Sequence, residues 1–146
     1  EARARALRDR VMDVSVFLAK LGQREPSREM KLKVAYQDAC HLANAQGVRR
    51  QPRDLLRAIP GLELFEISDP HLCCGSAGSY NMDQPEIASS LGAQKARAVM
   101  ATRADIVVSG NIGCLTQMRL HLRKLGATIA VKHTMQLLRD ALSSPP

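Results

Sequence analysis

Tryptophan is absent from this 146-residue chain, and aromatic residues make up only 3% of it. The core must therefore be built from Leu, Ile, Val, Met and Ala, and there is no aromatic platform on which bases could stack. That argues against single-strand nucleic-acid binding. No apolar run approaches the roughly 18 residues of a membrane span. The N-terminus shows no signal-peptide pattern and no initiator methionine, opening instead Glu-Ala-Arg. The chain is expected to be a piece of a longer protein. With no export signal visible it is expected in the cytoplasm, where thiols stay reduced and cysteine clusters mean metal or redox chemistry. A Gly-x-Gly-x-x-Gly fingerprint after a strand is also lacking. Gly75-Ser76-Ala77-Gly78 is too short and carries no phosphate-binding Lys, so no dinucleotide site is expected.

Hydrophobic residues at 45% and charged residues at 24% are ordinary for one soluble domain of this length. The net charge is +7, from 21 basic and 14 acidic residues. Basic side chains recur at Arg3, Arg5, Arg8 and Arg10, at Arg49, Arg50 and Arg53, and at Arg119, Arg123 and Lys124. Such charge suits nucleic acid, an anionic membrane or an acidic partner. No nucleic-acid motif accompanies it, and solvated helix faces explain it as well.

Leu7, Val11, Val14, Leu18 and Leu21 fall at helical spacing, which predicts one amphipathic helix from about Ala4 to Leu21, ended by Gly22 and Pro26. Leu32–Gln37 reads as a strand. Pro52 opens a short helix over Arg53–Ile59, and Leu62–Ile67 is a second strand. A Cys-, Gly- and Ser-rich loop runs from Asp69 to Met82. Asp83 and Glu86, with Pro85 in the first turn, suggest a capping box for a helix to about Ala101 with Ile87, Leu91 and Ala98 inward. Asp105–Ser109 holds Ile106-Val107-Val108, the unbroken apolar run of a strand buried on both faces. Asn111 caps a helix bearing Leu115, Met118, Leu122 and Leu125 on one face, stopped by Gly126, with His121 towards solvent. Ala127–Val131 is the fourth strand. His133–Leu142 is the last helix, with Met135, Leu138 and Leu142 inward, and Ser143–Pro146 is a tail. The alternation predicts an α/β fold: a four-stranded, mostly parallel, Rossmann-like sheet with helices on both faces. Asp105–Ser109 should be interior and the Glu63- and Glu66-bearing strand an edge. No internal repeat or linker divides the chain.

Four cysteines sit where such a fold builds its sites. Cys40 follows the first strand, Cys73 and Cys74 the second, and Cys114 lies in the first turn of the helix after the third. Loops after parallel strands emerge at the same, carboxyl edge of the sheet. A lone cysteine is usually packing, but four converging on one edge point to a metal centre. The adjacent pair cannot easily form a disulfide, because an eight-membered ring strains the intervening peptide. Thiolates ligate both zinc and iron–sulfur clusters, and spacing does not choose between them. Gly75, Ser76 and Gly78 let backbone approach sulfur and donate N–H bonds. A helix N-terminus stabilises the Cys114 thiolate. His41, His71 and His133 also fall at this edge, each readable as a ligand, a hydrogen-bond donor to sulfur or a helix cap, the last two being preferred.

Asp38-Ala39-Cys40-His41, Cys73-Cys74-Gly75 and the segment ending in Cys114 resemble the cysteine-rich CCG domain. That domain occurs, usually twice, in the B-type polypeptide of heterodisulfide reductase and in lactate-utilisation, anaerobic glycerol-3-phosphate dehydrogenase and glycolate oxidase iron–sulfur subunits. The family pattern is Cys, some thirty-odd residues, Cys-Cys-Gly, a similar gap, then Cys-x-x-Cys. The first gap here is 32 residues, 41 through 72. Asn111 replaces the first cysteine of the final pair. Cys73–Tyr80 and Asn111–Cys114 look most like glycolate oxidase subunits. The resemblance implies one CCG domain over 1–146, with an N-terminal helix in 1–26 and an α/β core in 31–142, at the C-terminal end of a longer subunit. It implies ligand roles for Cys40, Cys73, Cys74 and Cys114, with His41, Gly75, Asn111 and His133 around them. Four thiolates suit a [4Fe–4S] cluster, and the alternative is a zinc-binding or metal-free structural or docking domain of the same complex. The Asn at 111 speaks against a five-cysteine non-cubane cluster. The implied partners are FAD-bearing glycolate oxidase subunits and the rest of the iron–sulfur subunit, whose closely spaced ferredoxin-like cysteines are absent here. The implied role is electron relay in the cytoplasm or, through the complex, at the inner face of the membrane. This chain alone is not expected to oxidise glycolate.

Overall fold

In the computed structural model, which describes residues 1–22 and 26–142, four strands form one parallel sheet in the order β2-β1-β3-β4. The strands are β1 (Leu32–Tyr36), β2 (Leu62–Glu66), β3 (Ile106–Ser109) and β4 (Ala130–His133). The sequence predicts a mostly parallel sheet, and all three strand pairings are parallel. Every residue of β3 is buried and β2 is an edge strand, as the apolar run and the two glutamates require. Register pairs Leu32 with Leu62, Val34 with Ile106, and Ile106 with Ala130. The fourth strand starts at Ala130, three residues later than the sequence suggests. Ala127 instead donates its N–H to the Leu122 carbonyl to close the preceding helix.

The remaining elements are helices α1 (Ala2–Arg8), α2 (Val14–Leu21), α3 (Arg50–Arg57), α4 (Tyr80–Asp83), α5 (Pro85–Ala101), α6 (Ile112–Lys124) and α7 (Thr134–Leu142), with a π-helical turn over His41–Ala45. Side chains alternate across the strands and seed two cores. Val34, Tyr36, Ile106 and Val108 pack with Leu55, Leu56 and Ile59 around α3 and with Leu137, Leu138 and Ala141 of α7. Ala35 and Val107 pack on the other face with Ala96 and Val99 of α5 and Cys114, Met118 and Leu122 of α6. Helices thus cover both faces, as expected.

Several local expectations fail for identifiable reasons. The N-terminal helix is two helices, because Asp13 adopts an extended backbone and caps α2 by accepting the Ser15 N–H at 2.8 Å. None of the α1 residues is buried. The helix around Pro52 begins at Arg50. The capping box does not form: Asp83 accepts the Ser79 hydroxyl instead, in a short helix where the sequence predicts loop. The inward stripe of α5 is Ala88, Gly92, Lys95, Ala96 and Val99, whereas Ile87 is half exposed. In α7, Leu137 and Ala141 point inward with Leu138, and Leu142 is exposed. The stretch between Gly22 and Pro26 and the Ser143–Pro146 tail lie outside the described residues.

His121 is buried, not solvent-facing. Its Nε2 lies 3.2 Å from Gln117 Oε1, and its ring fills the space opposite Gly92, where an added Cβ would come within 2.3 Å of it. Burial, assisted by the Lys124 charge, lowers its pKa from the ordinary 6.5. The folded state then binds fewer protons than the unfolded state around and below that value. Stability contributed by neutral His121 is complete above about pH 6.5 and is lost as pH falls through the lowered folded value. Urea unfolding at pH 7.5 and 5.0 should show a smaller acid loss in His121→Gln than in wild type. Equal losses would refute this account.

Candidate metal centre

The strand ends deliver the four thiols to one place. β1 runs into Gln37, whose N–H donates to the Val108 carbonyl at 2.8 Å and prolongs the strand pairing towards Cys40. Cys40 starts the π-helical turn and is exposed. Cys73 is partly buried, and Cys74 and Cys114 are buried. All four line a single cavity at the carboxyl edge with Gln37, Asp38 and His71. It measures about 300 Å³ including its open mouth.

The loop backbone approaches sulfur as the glycines suggest. Gly75 donates its N–H to Cys73 Sγ at 3.4 Å, and the Ser76 N–H bonds to Cys74. Cys74 and Cys114 share a hydrogen bond across the sheet edge. Donation from Cys114, outweighing burial, pulls the Cys74 pKa down to about 6. The same bond, with burial, holds the Cys114 proton on its sulfur. Burial raises the Cys73 thiol. Among the described residues no three His, Cys, Asp or Glu side chains converge tightly enough to hold a single metal ion.

The surrounding residues divide. Asn111 Oδ1 accepts the Cys114 N–H at 3.1 Å and caps α6, as expected. His41 and His71 are exposed, and of the two His71 lines the cavity. His133 Nδ1 accepts the Met135 N–H at 3.1 Å, which makes it a cap for α7. It lines a different cavity, with Tyr36, Leu42 and Asp13, and not the cysteine cavity.

Two charged residues near the site carry no signal in the sequence. Arg53, which reads there as one of several solvated basic residues, has a side chain only 14% exposed. Its guanidinium donates to both oxygens of buried Asp38 (3.0 and 2.7 Å) and both of Glu66 (2.7 and 2.8 Å), with Cζ 4.5 Å above the Tyr36 ring. Burial alone would lower the Arg53 pKa, but the bonds to Glu66 and Asp38 raise it. This fork fixes Asp38 two residues before Cys40. The other is Lys95, fully buried in α5 behind the cysteine loop.

The model of the CCG cysteine-rich domain matches residues 34–119, a span that contains all four cysteines. The chain belongs to this family. The CCG domain is 38% identical over 143 residues to a probable glycolate oxidase iron–sulfur subunit of Bacillus subtilis, covering 95% of this chain and 32% of that protein. It is 37% identical over 134 residues to the B polypeptide of fumarate reductase (CoM/CoB) from Methanothermobacter marburgensis, covering 91% and 27%. Lactate utilization protein A 1 of Bacillus mycoides is 27% identical over 139 residues, covering 94% and 57%. The chain spans about a third of the first relative, about a quarter of the second and just over half of the third. Among the described residues, no helix is long and apolar enough to cross a membrane.

Proposed function

We propose that this CCG domain holds a [4Fe–4S] cluster on Cys40, Cys73, Cys74 and Cys114 and relays electrons in a glycolate-oxidising complex. The observation that carries the reading is the convergence of these four thiols on one cavity. The donor set is all sulfur, which suits iron–sulfur chemistry. A lone tetrahedral zinc, with Zn–S near 2.3 Å, would draw its sulfurs to about 3.8 Å of one another. Zinc would use the same four sulfurs, and the content of iron and acid-labile sulfide decides between the two. Bound there, the cluster would take up and release single electrons. The chain's own work is to present thiolates, withhold solvent from Cys74 and Cys114, and donate N–H bonds from Gly75 and Ser76. Loading must break the Cys74–Cys114 hydrogen bond and release its proton. The likeness to glycolate oxidase subunits points to flavin-bearing partner subunits, where the 2-hydroxy acid would be oxidised. The rest of a longer iron–sulfur subunit and a cytoplasmic or membrane-peripheral complex complete the proposed setting.

Anaerobic reconstitution of the chain should yield about four iron and four acid-labile sulfide per molecule. Cys74→Ser should lose most of both. Stoichiometric zinc with no sulfide would replace the cluster by a structural ion. Glycolate-dependent dye reduction by the chain alone should be absent even with added flavin.

A further inference from the structure

Lys95 stands in the middle of α5 with no solvent-exposed surface. A lysine is almost never fully buried unless its charge is paired. Its Nζ donates to the Asp69 backbone carbonyl at 2.7 Å. Among the described residues that is its one hydrogen bond, and no carboxylate lies within 4.0 Å of it. The carbonyl belongs to the turn that leads into His71, Cys73 and Cys74. Burial disfavours the charged form of Lys95, opposed first by Asp69 and then by Cys74, Asp38 and Cys73. The Asp69 residue is exposed, and both oxygens of Asp38 are occupied by Arg53. Ala96, the neighbour of Lys95 in α5, shares a core with Cys74 and Cys114, which places the cysteine site beside this part of the helix.

We propose that Lys95 is the fixed counter-charge of the cysteine site, offsetting the negative charge of its metal–thiolate group and favouring that group's reduced form. The inference rests on the four-thiol reading of the site. Its logic is Coulombic: inside a protein, a cation near an anionic centre is weakly screened and acts most strongly on the more negative of two states. Four thiolates around a metal centre add negative charge to the site, and reduction adds one more. Loading therefore gives Lys95 a charged partner, where the metal-free protein gives its Nζ only the neutral Asp69 carbonyl. A simpler role exists, because the Asp69 bond also straps a turn whose φ is +52°. The two roles differ in what they predict.

The test compares wild type with Lys95→Gln, Lys95→Met and Lys95→Arg in the full chain. Zinc alone serves as the first probe, its affinity read by chelator competition on metal-free protein. Midpoint potentials of the reconstituted cluster are read by EPR-monitored titration, and thermal melts are taken without metal. The neutral variants should bind zinc roughly tenfold more weakly, and their midpoint should fall by about 59 mV, a tenfold change for one electron. Arg should restore most of both. Metal-free Lys95→Met should melt no lower than wild type, since it removes an incompletely paired buried charge. Wild-type affinity and potential in Lys95→Gln would overturn the proposal, as would failure of both neutral variants to fold, because either result makes Lys95 only a strap. A wild-type chain that takes up neither zinc nor iron would remove the metal-site reading and this inference together. Equal loading of wild type and Lys95→Gln would remove this inference alone.

Discussion

Arg53→Met should destabilise the metal-free fold by about 3–5 kcal/mol, the range for removing one partner of a buried ion pair. The size comes from what is left behind. The Asp38 side chain is only 5% exposed, so without the guanidinium its charge is neither paired nor well hydrated. The Glu66 half of the same fork contributes little, because that carboxylate is 48% exposed and water replaces its partner. Glu66→Gln should therefore cost under about 1 kcal/mol. Adding Asp38→Asn to Arg53→Met should recover at least about half of the loss, since the cost lies in the stranded charge and not in the bond itself. Denaturant unfolding of the two single variants and the double variant reads all of this. A cost for Arg53→Met no larger than that for Glu66→Gln would show that Asp38 finds other solvation.

The architecture is legible in the sequence because its signals are local and redundant. An unbroken Ile106-Val107-Val108 run fits only a strand covered on both faces. Once parallel strands alternate with helices, chain topology alone carries Cys40, Cys73, Cys74 and Cys114 to one edge. What is illegible depends on partners far away in sequence. Arg53 looks like a neighbour of Arg49 and Arg50 on a wet helix face, and only the fold brings Asp38 and Glu66 to it. Lys95 and His121 look solvated for the same reason. Apolar periodicity misplaces the inner face of α5 because it weighs bulk, whereas a helix packed closely on another needs small residues. Ala88, Gly92 and Ala96 form that stripe and leave Ile87 outside. The break before α2 does have a signal, in Asp13 followed by Ser15, a cap inside an apparently continuous helical pattern.

Gly75→Ala should cost about 2–5 kcal/mol, the sum of a backbone penalty and a steric one, and most of the bound metal. The residue has φ +84°, in the left-handed region where an L side chain costs roughly 1–2 kcal/mol. An added Cβ would also meet the Ala88 carbonyl oxygen at 2.3 Å and the Ala88 carbonyl carbon at 3.0 Å. Those are backbone atoms in the first turns of α5, so no rotamer change relieves the contact. Either the cysteine loop or the helix must move, at the roughly 1–3 kcal/mol typical of overpacking. Movement of the loop carries Cys73 and Cys74 away from Cys114 and breaks the Gly75 N–H contact to Cys73 Sγ. Gly78→Ala is the matched control: same loop, φ +64°, and nothing within 4 Å of the added carbon. It should cost only the left-handed penalty and keep its metal. Unfolding curves give the stability difference, and iron and sulfide content after identical reconstitution give the consequence for the site. If Gly75→Ala were as stable and as well loaded as Gly78→Ala, close contact between the cysteine loop and α5 would not be what holds the thiols in place.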